Sequence, residues 1–241
     1  MRGAAAPTLA AVTRAAAPSL AAVVFDFDGT LFDTEWPIFE RARAAAAGLG
    51  ADLTPELWAT HAVGVSHGEP WWDDLAPLLG LTIDQAAFDA AVESVTHIPT
   101  SRESATVVPG AEALVAELHR AGVPLAVASG SDRGWLEHHL GRVALTDHFA
   151  ALVGIDHPDV TAGKPAPDLY EVATRQLGID PARAVAVEDT HRGVDSARAA
   201  GMGAVVAVPS RLTAHHDLSG ADLVAPALAD LYIALKAAGR L

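Results

Sequence analysis

The stretch VVFDFDGTLFDTE, Val23 to Glu35, decides the reading of this chain. The apolar run Val23-Val24-Phe25 leads straight into Asp26 and Asp28, one residue apart, followed by Gly29-Thr30 and then a third acid, Asp33. Side-by-side carboxylates repel, and taking each out of water costs several kcal/mol unless a partner compensates. A buried strand ending in such a pair therefore predicts a positive species between the acids.

Working outward, short apolar runs alternate with Ala- and Leu-rich amphipathic stretches. AAVVFDF, VPLAVAS (Val123 to Ser129), FAALVGI, AVAVED (Ala184 to Asp189) and AVVAV read as buried strands. GAEALVAELHRAG (Gly110 to Gly122), DRGWLEHHLG, APDLYEVATRQLG and THRGVDSARAAG read as helices, the third opened by Pro167 and closed by Gly178. Strands apolar throughout, alternating with helices, predict an α/β fold with a parallel sheet covered on both faces. Ligands of such sheets lie beyond the carboxyl ends of the strands. Residues 36–105 break the alternation: IFERARAAAAG, TPELWATHAVG and DQAAFDAAVES are helical, with no convincing strand. This predicts an all-helical cap inserted after the first strand, with hinges near Glu35–Pro37 and Thr106–Gly110. The domains are then a core of residues 22–35 and 106–241 and a cap of residues 36–105. The Ala/Pro-rich lead, residues 1–21, is expected to be disordered and to lie outside the fold.

Composition narrows the function. The 241 residues carry a net charge of −14, and Lys and Arg form no cluster, which argues against nucleic acid and anionic membrane as partners. No apolar run approaches the roughly 18 residues that span a bilayer. The chain has no cysteine, so disulfides and thiolate chemistry are excluded, which fits a reducing cytoplasm.

Four predicted strand ends carry polar residues: Asp26 with Asp28, Ser129 with Ser131, Lys164 in the loop TAGKPAPD, and Glu188 with Asp189. In a parallel sheet these converge on one edge. So many acids around one point suit a hard divalent cation, and Mg²⁺ takes carboxylates, water and phosphate oxygen. Lys164 could neutralise further anionic charge, and Ser129 could donate a hydrogen bond to a phosphoryl oxygen. A carboxylate facing that group can act as nucleophile, and an acid two residues on could protonate the leaving oxygen and then activate water. Other readings stand beside these. Asp26 and Asp28 could end a strand in a solvated turn, Glu188-Asp189 or Ser129 could cap helices, and Lys164 could be a surface charge. Asp33 is expected to cap the first cap helix, and Asp195 is either near the site or solvated. Trp36, Trp58, Trp71 and Trp72 are expected to form the cap's packing core. His61 and His67 are expected at the surface, and the pairs His138-His139 and His215-His216 in solvent, or the second in a flexible turn.

DFDGTLFDTE, VASGSDR, GKPAPD and VAVEDTHRGVDSARAAGM, in this order and spacing, resemble the four motifs of the haloacid dehalogenase superfamily. They are most similar to its β-phosphoglucomutase-like phosphatase branch, with a helical cap after the first strand. The resemblance runs from Val23 to about Pro209 and implies a Rossmann-like core with the first strand central. It implies Asp26 as nucleophile, Asp28 as general acid/base, and Ser129 and Lys164 as phosphate-binding residues. Mg²⁺ would be held by Asp26, Asp189 and the backbone carbonyl of Asp28, with Glu188 holding or orienting a metal-bound water. Dehalogenases proper carry an aromatic residue in place of Asp28, so this chain points to phosphoryl transfer. The histidine and the cap arginine of β-phosphoglucomutases are matched here by Ile38 and His67, which favours hydrolysis over mutase chemistry. Residues 36–105 contain no lysine, which excludes the Schiff-base chemistry of the phosphonate-cleaving relatives. The expectation is a cytoplasmic Mg²⁺-dependent phosphatase of a small phosphorylated metabolite, such as a sugar phosphate, working through an aspartyl-phosphate. A phosphomutase and a non-catalytic phospholigand-binding protein are the alternatives.

Overall fold

The structure is a computed structural model that describes residues 21–65 and 71–237. The lead up to residue 20, and His67, lie outside the described residues. Six parallel strands form the main sheet: β1 (Ala22–Phe25), β4 (Leu125–Ala128), β5 (Ala151–Val153), β6 (Ala184–Glu188), β7 (Ala204–Ala207) and β8 (Leu223–Val224). Their order is β5-β4-β1-β6-β7-β8. From β1 the chain first builds outward on one side and then crosses over to build on the other. The crevice at β1 is thus a topological switch point, where open sheets of this kind bind ligands.

Alternation along the strands sorts side chains between two faces. Val23, Phe25, Leu125, Val127, Val185 and Val187 pack on one side. There they meet α6 (Ala111–Arg120), α7 (Arg133–Arg142) and α10 (Leu228–Ala237) through residues such as Leu114, Leu136 and Leu228. The other face is built from smaller residues, Ala22, Ala126, Ala128, Ala184 and Ala186. It packs against α8 (Asp168–Leu177) and α9 (His191–Ala199), and the small side chains leave room for the buried ring of Tyr170. Each fully buried Val, Leu or Phe contributes about 1.5–3 kcal/mol, so both faces hold the strand ends in place.

The chain leaves and re-enters this core through a two-stranded antiparallel ribbon, β2 (Phe32–Asp33) with β3 (Thr106–Val107). Between them lie five helices: α1 (Glu35–Gly48), α2 (Pro55–His61), α3 (Trp71–Leu78), α4 (Gln85–Glu93) and α5 (Ser101–Ser104). The ribbon was not foreseen, because a two-residue strand carries no periodicity. Residues 35–37, expected as a hinge, are the first turn of α1, where Pro37 lacks only an N–H that a first turn leaves unpaired. The helices share their own apolar cluster around Phe39, Leu53, Trp58, Trp72 and Phe88, with Trp72 stacked on Phe88 at 4.1 Å between centroids. Trp58 and Trp72 are core residues, as expected, while Trp36 and Trp71 are only partly buried. No helix among the described residues is long and apolar enough to cross a membrane.

Candidate active site

Asp26 follows directly on β1, Ser129 on β4, and Glu188-Asp189 close β6. Parallel pairing of β1 with both β4 and β6 sets these three strand ends side by side. Lys164, on the loop between β5 and α8, reaches into the same place. Its ammonium lies 2.5 Å from Asp26 Oδ1 and 2.5 Å from Glu188 Oε1 and is only 8 % exposed. The surface-charge reading of Lys164 is thereby excluded. Burial works against the ammonium, but Asp26 and Glu188 outweigh it and raise its pKa above the usual lysine range.

Asp26, Glu188 and Asp189 are all buried, and one ligand atom from each lies within 4.8 Å of the others. Glu188 is well supplied with donors. Lys164 and the Tyr170 hydroxyl (2.7 Å) reach Oε1, while the Asp189 N–H (3.2 Å) and Thr190 Oγ1 (3.4 Å) reach Oε2. Asp189 is not: Thr213 Oγ1 donates to Oδ2 at 3.2 Å, and the buried Oδ1 has no partner. Burial, then Asp26, Glu188 and Glu35, push the Asp189 pKa far up. Burial likewise pushes Asp26 up to about 7, with Lys164 pulling down against Glu188 and Asp28. Three buried carboxylates against one ammonium leave negative charge without a partner, and one carboxylate oxygen of the trio, Asp189 Oδ1, is buried without a hydrogen bond. Such a site fits a hard divalent cation, which would lower both pKa values, as Lys164 does for Asp26 alone. Two glycines make the cluster possible. At Gly29 (φ +89°) a Cβ would overlap the Asp189 carboxylate, and at Gly193 it would overlap that of Glu188.

The Asp28 carboxylate is not part of this group. Both its oxygens are taken by donors: Thr34 Oγ1 (2.7 Å) and Trp135 Nε1 (2.9 Å) on Oδ1, Ser131 Oγ (2.7 Å) and Ser129 Oγ (3.2 Å) on Oδ2. Ser129 is fully buried. Helix caps fall elsewhere: Asp132 caps α7 and Thr190 caps α9, so neither Ser129 nor Glu188-Asp189 is needed for that role. Asp33 accepts the Trp36 N–H at 3.4 Å at the start of α1, and its other oxygen meets Arg211 at 2.5 Å. Asp195 is exposed.

The histidine expectation needs one correction. His139 is fully buried, because α7 turns Leu136, His139 and Leu140 inward together. Its ring lies 4.4 Å from that of Trp135, and burial, reinforced by His138 and Arg142, lowers its pKa to about 4. His216 is partly buried, with Nε2 2.9 Å from the Ala59 carbonyl oxygen of α2.

A chamber of about 140 Å³ is lined among others by Asp26, Asp28, Glu35, Ser131 and Lys164, with residues 62–65 also on its wall. Glu35 was not anticipated. Burial, then Asp28, Asp26 and Asp33, raise its pKa to about 8. A larger cleft of about 960 Å³, with Trp71 and Trp135 on its walls, shares Ala62, Val65, Gly130 and Ser131 with the chamber. Thr34, Trp135, Tyr170 and Thr213 had no sequence signal as site residues: hydroxyls and buried aromatics are ordinary in helices and loops.

Residues 20–201 match the family model for a haloacid dehalogenase-like hydrolase. The chain is 33 % identical over 187 residues to fructose-1-phosphate phosphatase YqaB of Escherichia coli (strain K12), covering 77 % of this chain and 95 % of that protein. The crystal structure of a HAD family hydrolase from Deinococcus radiodurans R1, with bound phosphate and sodium, is similar at a TM-score of 0.76 and 30 % identity. That likeness covers 92 % of this chain and 97 % of the other. A mutant of CbbY from Rhodobacter sphaeroides, in complex with xylulose-(1,5)bisphosphate, is similar at a TM-score of 0.60 and 27 % identity over 88 % of this chain and 96 % of its own. With the family match spanning every strand end that bears a site residue, this chain belongs to the haloacid dehalogenase-like hydrolases.

Proposed function

We propose that this chain is a Mg²⁺-dependent phosphatase that hydrolyses a small phosphate monoester, a sugar phosphate or related metabolite, through an aspartyl-phosphate on Asp26. The observation that carries the reading is the buried trio Asp26, Glu188 and Asp189, in which Lys164 bridges Asp26 and Glu188 while Asp189 Oδ1 is left without a hydrogen bond. The names and ligands of the relatives, a fructose-1-phosphate phosphatase and complexes with phosphate and a sugar bisphosphate, support the substrate class.

Asp26 and Asp189, with the Asp28 carbonyl, would hold the metal, and Glu188 would support it. Bound there, Mg²⁺ supplies charge neutralisation for the phosphoryl oxygens. Lys164 orients the Asp26 carboxylate through Oδ1 and adds positive charge beside the incoming phosphate. An Asp26 oxygen attacks phosphorus, and the bond from phosphorus to the leaving oxygen breaks with its electron pair going to that oxygen. Asp28 gives this oxygen a proton and becomes a carboxylate. It then takes a proton from the water that attacks the phosphoryl-aspartate, which frees inorganic phosphate and restores both acids. Ser129 and Ser131 hold the Asp28 carboxylate through Oδ2. Residues 36–105 act as a cap domain on the core of residues 22–35 and 106–241, and through residues 62–65, which line the chamber, the cap excludes bulk water.

Phosphate release from a panel of sugar phosphates, phosphoglycolate and nucleotides tests this, with Mg²⁺, with EDTA, and with Asp26→Asn. Metal-dependent release that Asp26→Asn abolishes is the expected result. Isomer interconversion primed by a bisphosphate would replace hydrolysis by mutase chemistry. Tight Mg²⁺-dependent binding without release from any compound would make the chain a binding protein.

A further inference from the structure

Among the four donors on Asp28, one differs in kind. The hydroxyls of Thr34, Ser129 and Ser131 can rotate to donate or accept, whereas the Trp135 indole N–H can only donate. It lies 2.9 Å from Asp28 Oδ1. The ring is held in place by an edge contact with the buried His139 at 4.4 Å, and α7, which carries it, is capped by Asp132 through the N–H of Trp135 itself at 2.8 Å. An oxygen that accepts from a fixed N–H is a poor place for a proton. Oδ2 is bonded only to hydroxyls, and one of these, Ser131, lines both the chamber and the larger cleft. Trp135 also forms part of the wall of that cleft, where the leaving group of a substrate in the chamber would lie.

We infer that Trp135 is a positioning residue for phosphate-ester cleavage: its indole N–H fixes Asp28 Oδ1 as an acceptor and so directs the acid's proton to Oδ2, on the side of the leaving group. The inference rests on the proposed role of Asp28 as general acid. In the step concerned, the Oδ2–H proton passes to the ester oxygen as its bond to phosphorus breaks. Oδ1 stays bonded to Trp135 throughout. Losing the indole N–H lets Asp28 turn or carry its proton on Oδ1, away from the ester.

The need for that proton depends on the leaving group, which separates positioning from packing. An alkyl alkoxide must be protonated as it leaves, while 4-nitrophenolate leaves without help. Trp135→Phe keeps an aromatic ring against His139 and removes the N–H. Trp135→Leu also removes it, so either variant decides if the other fails to fold. Each is compared with wild type and Asp28→Asn on the best alkyl phosphate of the panel and on 4-nitrophenyl phosphate, under Mg²⁺. The expected result, read in kcat/KM because it reports phosphoryl transfer to Asp26 and not the later hydrolysis in which Asp28 acts as base, is a fall on the alkyl ester of about tenfold or more for the Trp135 variants and about a hundredfold or more for Asp28→Asn. On the nitrophenyl ester the losses are much smaller. If Asp28→Asn shows this split and the Trp135 variants lower both substrates equally, or neither, the inference is overturned. If Asp28→Asn itself shows no split, the general-acid reading falls and the inference with it.

Discussion

Replacing Lys164 by Met tests the charge balance at the centre of the site. Its ammonium is buried and lies 2.5 Å from both Asp26 and Glu188, while methionine fills similar volume without charge. Removing one partner of a buried ion pair costs about 3–5 kcal/mol, because the remaining charge is left uncompensated. For a protein of this size that is a fall in Tm of about 6–20 °C. The sign with pH follows from Asp26, whose pKa burial raises from the ordinary 3.8 to about 7. Near about pH 8 Asp26 is a carboxylate and feels the loss of Lys164 in full; near about pH 5 it is protonated with or without the lysine, and only the contact with Glu188 is lost. Thermal melts of wild type and Lys164→Met in EDTA should therefore differ far more at the higher pH. An equal Tm loss at both values would refute the reasoning and leave Lys164 with a packing role alone.

Two further outcomes follow from the same cluster. Gly29→Ala puts a side chain at φ +89° and into the Asp189 carboxylate; it should cost about 1–2 kcal/mol in backbone strain and weaken Mg²⁺ binding about tenfold or more. Calorimetric titration with Mg²⁺ checks this, and unchanged affinity would contradict it. In EDTA the wild-type Tm should fall as pH rises from about 5 to 8, because Asp26 and Glu35 have folded pKa values raised to about 7 and about 8. Groups raised in this way stabilise the fold below their ordinary range, and that contribution is lost as pH rises through the folded values. Added Mg²⁺ should restore Tm chiefly at the alkaline end, and a metal-free Tm that rises toward pH 8 would contradict the shifts.

Much of this molecule was legible in the order of its residues. Apolar runs such as Val23-Val24-Phe25 and Ala184 to Val187 can only be strands buried on both faces, and their alternation with amphipathic helices entails a parallel sheet. Polar residues at the ends of such strands must gather at one edge, so Asp26, Asp28, Ser129, Glu188 and Asp189 could be named as a set. Periodicity reports only which face of its own element a residue occupies. It is silent on partners a hundred residues away. That Lys164 bridges Asp26 and Glu188, that Tyr170 serves Glu188, and that Trp135 and Thr34 meet on one oxygen of Asp28 are consequences of placing β1 between β4 and β6. His139 looked like half of a solvated pair until the packing of α7 turned it inward. Local pattern names the acids because a buried carboxylate is costly anywhere; only tertiary structure says what compensates each one, since hydrogen bonds and ion pairs are decided over ångströms in space and not over residues in sequence.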